Sequence, residues 1–98
     1  MLTSASQVTA RIRTGIPGRW AVGDGAYLQI AKLGERATAS WLFRYWRDGQ
    51  TVWVGLGPVT LVSLAEAREA ARAARKLRLT GIDPLEDKRA RREARRTG

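Results

Sequence analysis

The chain has 98 residues, with 18 Lys and Arg against 9 Asp and Glu, and contains neither Cys nor His. That length supports one domain with a modest core. The missing thiols and imidazoles exclude disulfides, thiolate- or His-ligated metal and imidazole general-base catalysis within it. No apolar run approaches the ~20 residues of a membrane span and no signal segment opens the chain, so a cytoplasmic protein with no membrane partner is expected. The net charge of +9 points to a polyanionic partner, nucleic acid first. Residues 1–67 hold 7 basic and 4 acidic side chains, whereas 68–98 hold 11 and 5. Much of the excess therefore falls on the C-terminal helices, where a solvated helix face is the plain alternative to a contact surface.

In chain order, Leu2 to Arg13 predicts a short helix, with Thr3 or Ser4 as N-cap and Ala5, Val8 and Ile12 along one side. Gly15, Pro17 and Gly18 end it. Trp20–Val22 is a short strand, broken by Gly23-Asp24-Gly25, which reads as a turn rather than a metal or phosphate site. Tyr27–Ala31 is a second strand, with Leu28 and Ile30 on one face and Tyr27 and Gln29 on the other. Lys32–Thr38 reads as a polar loop around Gly34.

The most informative stretch follows. An aromatic strand, Trp41–Arg47, turns at Asp48-Gly49 into a second strand, Gln50–Leu56. Asp-Gly between alternating apolar runs is a strong hairpin signal, because both central residues of a type I′ turn need positive φ. The apolar set Val52, Val54 and Leu56 faces the core, and cross-strand pairing puts Trp41, Phe43 and Tyr45 beside it. The opposite face then displays Tyr27, Gln29, Leu42, Arg44, Trp46, Thr51 and Trp53.

Ser63-Leu64-Ala65-Glu66 forms a capping box and opens a helix to about Leu79. Leu64, Ala67, Ala70, Ala71, Ala74 and Leu77 share one arc and Arg68, Glu69, Arg72, Arg75 and Lys76 lie opposite; Arg72, Arg75 and Lys76 read as a solvated face, with a non-specific DNA or protein contact as the alternative. The alanines allow close approach to a sheet carrying large aromatics. Thr80-Gly81 stops this helix and Asp83-Pro84 starts another. Leu85–Arg96 is highly charged and lacks a continuous apolar stripe, as in a linker helix or a tail.

Hairpin followed by helix describes a small α+β module that binds something anionic. Arg44 sits mid-strand on the displayed face, where a forked guanidinium can pair bidentately with guanine or grip a phosphate. Trp46 and Trp53 share its face as an exposed pair, suited either to packing on sugars and base methyls or to burial against the first helix or an absent domain. Lys32, Arg36 and Arg47 lie at strand ends or in the loop, where phosphates would pass, and Arg19 is a similar candidate.

These pieces resemble the amino-terminal arm-type DNA-binding domain of phage integrases, the tyrosine recombinase family. The matching segments are Leu2-Thr3, Asp24-Gly25 before Tyr27-Leu28, and Trp41-x-Phe43-Arg44-Tyr45. They continue with Asp48-Gly49, Leu56-Gly57, Val62-Ser63-Leu64-Ala65-Glu66-Ala67-Arg68 and Gly81-Ile82-Asp83-Pro84. The resemblance implies a three- to four-stranded antiparallel sheet packed against one long C-terminal helix, with a short N-terminal helix. It implies that residues 1–82 dock the sheet in the major groove of arm-type sites. It also implies that 83–98 lead, as a charged linker, towards core-binding and catalytic domains absent from these residues. Double-stranded DNA is the expected partner, with other integrase subunits or accessory DNA-bending proteins beside it; no cofactor and no metal is expected. Without His, and with both tyrosines on strands, the chain is not expected to cut or join DNA. Gln50, Thr51 and Val52 stand where the family often carries basic residues, which lowers the phosphate contacts expected of that strand. The competing function is a protein-interaction module that uses the Trp46–Trp53 face to dock an accessory factor or another integrase subunit.

Overall fold

Three tight turns cut residues 18–58 into four antiparallel strands: β1 (Gly18–Gly23), β2 (Ala26–Leu33), β3 (Arg36–Arg47) and β4 (Gln50–Pro58), joined in sequence order into one sheet. Helix α1 (Ala5–Thr14) precedes the sheet, and α2 (Leu64–Leu79) and α3 (Pro84–Thr97) follow it. This computed structural model describes residues 1–97; Gly98, the end of the expected linker, and the side chain of Thr97 lie outside the description.

The turns obey the local chemistry. Asp48 (φ 51°) and Gly49 (φ 77°) are both left-handed, as a type I′ hairpin demands. Asp24 (φ 57°) and Gly25 (φ 83°) repeat the device between β1 and β2. A β-carbon on Gly25 would stand 2.9 Å from Cε1 of Phe43, so this position requires glycine for space as well as for its dihedral.

The expected polar loop at Lys32–Thr38 is instead the end of a long hairpin. Ala31 pairs with Thr38, Lys32 with Ala37 and Leu33 with Arg36, leaving only Gly34 and Glu35 to turn. Residues 32–38 are exposed throughout, so neither face there has to be apolar and the alternation that marks a strand is absent. In the second hairpin Phe43 pairs with Val54 and Tyr45 with Val52, as the alternation requires. A bulge between Trp41 and Leu42 leaves Leu56 without a cross-strand partner, half-buried against the core.

One face of the sheet is covered. Val22, Ala26, Leu28, Ile30, Trp41, Phe43, Tyr45 and Val54 are buried against Ala67, Ala71 and Ala74 of α2. The small helix residues admit the large rings, and the Trp41 indole N–H donates to the Val62 carbonyl at 2.7 Å. Ser63 and Glu66 close the capping box reciprocally at 3.1 and 2.9 Å. Helix α1 begins at Ala5 with Ser4, one of the two expected N-caps, as its cap, so Leu2 lies before the helix rather than in it. The Leu2 N–H donates to Ala21 O at 2.9 Å on the outer edge of β1.

The expectation of one long C-terminal helix is corrected to two. The chain reverses at Thr80–Ile82, and Asp83 caps α3 by accepting from the Leu85 N–H at 2.9 Å. Pro84 is buried and Leu85 packs on the core. Lys88 donates from Nζ to Gly55 O at 2.9 Å on the free edge of β4. Beside the Asp83 cap, two apolar residues and one lysine hold α3, too few to produce a stripe in the sequence. Among the described residues, no helix is long and apolar enough to cross a membrane.

Candidate nucleic-acid interface

The other face of the sheet is bare. Strand alternation and register place Arg19 and Ala21 of β1, Tyr27 and Gln29 of β2, and Leu42, Arg44 and Trp46 of β3 on it. Thr51 and Trp53 of β4 complete the surface. Its centre is an ordered cluster. Tyr27 and Trp53 meet edge to face, with ring centroids 5.1 Å apart. The Arg19 guanidinium lies 4.3 Å from the Trp53 centroid and the Arg44 guanidinium 5.0 Å from that of Tyr27, both within cation–π range. The Arg19 Nε–H donates to Gln29 Oε1 at 2.8 Å.

Strands β1 and β4 are the two edges of the sheet, so Arg19 and Trp53 meet only because each lies inward across its neighbour. The arrangement covers the Trp53 ring. Trp53 is half-buried while Trp46 is 61 % exposed, so the two indoles are not the equivalent exposed pair expected from their spacing.

Of the residues singled out from the sequence, Tyr27, Gln29, Leu42, Arg44 and Trp53 gather at the centre of the bare face. Trp46 and Thr51 pair with each other towards the β3–β4 turn. Arg36 shares this face at the far end of the long β2–β3 hairpin. Lys32 and Arg47 do not join them. Lys32 falls on the parity of Leu28 and Ile30, and Arg47 on that of Phe43 and Tyr45, which is the helix-covered side.

Arg47 is also engaged. Its Nη1 donates to Asp83 Oδ2 at 2.6 Å, and the Tyr45 hydroxyl donates to the other oxygen of that carboxylate. Burial pushes the Asp83 pKa up, but the Tyr45 and Arg47 hydrogen bonds and the Leu85 amide outweigh it and hold it at about 2. Burial, then the bond to Asp83, raises the Tyr45 pKa.

Several arginines of α2 are structural, among them Arg72, which was expected to be solvated. Arg68 donates to Val22 O at 2.8 Å and to Thr3 O at 2.9 Å, and Arg72 pairs with Asp24 at 2.7 Å. Arg78 donates to Trp46 O and lies 4.9 Å from the Tyr45 centroid. Arg75 and Lys76 are exposed on that helix.

The member of this cluster under-weighted by sequence reasoning is Arg19. The signal was available: Trp20 and Val22 point inward, so Arg19 points outward, and antiparallel pairing sets it opposite Gln29.

Residues 3–91 match the family model of the Arm DNA-binding domain. This chain belongs to the arm DNA-binding domain family. It is 37 % identical over 90 residues to the integrase of Shigella phage Sf6 and, equally, to the prophage integrase IntS of Escherichia coli. Those matches cover 92 % of this chain and 22 % of each relative, so the arm domain here spans about a fifth of the length of either integrase. No solved structure matches it. The family match makes DNA the partner class of this arm domain.

Proposed function

We propose that this arm domain seats its bare sheet face in the DNA major groove at arm-type sites, as the DNA-binding module of a longer phage-type integrase. In that role it supports site-specific recombination and DNA integration. The observation that carries the reading is the Arg19–Trp53–Tyr27–Arg44 cluster, two guanidiniums held over aromatic rings on a face without helix cover. The major groove is about 12 Å wide and admits a β-ribbon. Arg44 and the polar tip of Tyr27 then approach base edges, Leu42 and Trp46 offer apolar surface, and Arg36 reaches phosphates beyond the centre. Gln50 and Thr51 leave the β4 end poor in phosphate contacts. Residues 1–82 form the DNA-binding unit, and 83–98 lead towards core-binding and catalytic domains. Other integrase subunits and accessory DNA-bending proteins are the partners of that assembly.

The test is fluorescence anisotropy with a specific and a random duplex at several salt concentrations. Arg44→Ala should weaken binding more than Arg75→Ala and narrow the gap between the duplexes by ~1–3 kcal/mol. Arg75→Ala should lower affinity uniformly and flatten the salt slope by about one unit. Equal losses, or a larger loss from Arg75→Ala, would move the surface to the helix. The 61 % exposure of Trp46 favours the second reading, a protein-docking face. Tight partner binding with little salt dependence, together with no steeply salt-dependent duplex binding, would select it.

A further inference from the structure

Arg19 is held more firmly than a phosphate contact needs. A phosphate can be met by a mobile point charge such as a lysine ammonium, with no fixed orientation. Here the guanidinium carbon lies over the Trp53 ring, 4.3 Å from its centroid, and the Nε–H is taken by Gln29 Oε1 at 2.8 Å; the two contacts together limit the freedom of the fork. Neither Nη group has a protein acceptor among the described residues. A fixed fork with two free Nη donors matches the O6 and N7 acceptors on the major-groove edge of guanine. Arg44, by contrast, is steadied among the described residues by the Tyr27 ring alone.

We infer that Arg19, stacked on Trp53 and oriented by Gln29, is a specificity-determining residue that reads one guanine in the bound duplex. Gln29 is then a positioning residue: its amide oxygen aims the guanidinium instead of meeting a base. The inference rests on the major-groove seating of the bare face, and it names which base that face reads through β1.

The chain is used to select duplexes from a randomised pool, and single base-pair changes are then scanned through the selected site by anisotropy. One G·C pair should lose about tenfold or more in affinity when changed to any other pair, and also when its guanine is replaced by 7-deazaguanine, which lacks the N7 acceptor. With Arg19→Ala the four base pairs should bind alike at that position, 7-deazaguanine should cost nothing further, and preferences elsewhere should persist. Arg19→Lys should retain most of the salt dependence while losing the guanine preference. Gln29→Leu should weaken that preference without abolishing duplex binding. Circular dichroism and thermal midpoints confirm that each variant is folded.

If Arg19→Ala or Arg19→Lys weakens all duplexes alike and leaves every base preference intact, Arg19 is a phosphate contact and the inference fails while the docking reading stands. If neither Arg19→Ala nor Arg44→Ala alters duplex binding, the docking reading has failed and the inference with it.

Discussion

Arg47 Nη1 stands 2.6 Å from Asp83 Oδ2, joining the end of β3 to the cap of α3 across 36 residues of sequence. The same carboxylate accepts from Tyr45 and from the Leu85 N–H, so three elements of hydrogen bonding converge on Asp83. This explains why the last helix folds back on the sheet although its own sequence is mostly charged.

Asp83 should therefore make stability depend on acid. Its pKa in the folded chain is about 2, below its ordinary value of 3.8. A depressed carboxylate contributes fully above its unfolded pKa and loses that contribution as pH falls through the folded one. Thermal midpoints should drop between about pH 4 and pH 2, and Asp83→Asn should lower the midpoint at neutral pH while shrinking that drop. An acid limb identical in Asp83→Asn would show that the network does not stabilise the fold.

Phe43 is 2 % exposed, stacks with Tyr45 at a centroid distance of 5.7 Å and lies under the Gly25 turn. Phe43→Ala should destabilise by ~3–5 kcal/mol, through lost transfer energy and the cavity left behind. That is a large share of the ~5–15 kcal/mol a native domain possesses. Chemical denaturation measures it, and an unchanged midpoint would place Phe43 outside the core.

Ser63→Ala should cost about 1 kcal/mol, since it removes the side-chain acceptor of the Glu66 amide at the start of α2. Glu66→Gln should cost less, because an amide oxygen can still accept from the Ser63 N–H. Denaturant midpoints distinguish the two variants; equal losses would mean that the charge of Glu66, not the cap geometry, matters.

Supercoiled plasmid incubated with the chain should remain uncut. It has no imidazole, Tyr45 is buried and bonded to Asp83, and Tyr27 is packed edge to face on Trp53. Metal-independent relaxation by the purified chain would contradict a purely binding role.

Much of this architecture was legible residue by residue. Period-two alternation assigned Phe43 and Val54 to the core and Arg44 and Trp53 to the other face. Asp48-Gly49 specified its turn, and the Ser63–Glu66 box specified the start of α2, because each depends on φ preferences or bonds within a few residues. The outer half of the β2–β3 hairpin escaped, since a strand exposed on both sides carries no apolar alternation. The second C-terminal helix was visible in Asp83-Pro84, but not its return to the sheet.

What only the tertiary structure decided is which cations remain available to a ligand. Arg47 and Arg72 look like free surface charges in the sequence, yet Asp83 and Asp24, far along the chain, engage them. Arg19 looks like an ordinary strand-end charge, yet it is aimed by Gln29 and stacked on a tryptophan from the opposite edge of the sheet. Sequence determined which side of the sheet the central residues of each strand occupy, because alternation is a backbone property. Long side chains span two strands, so their partners depend on register and on how the strands are ordered, and those emerge only when the sheet is assembled.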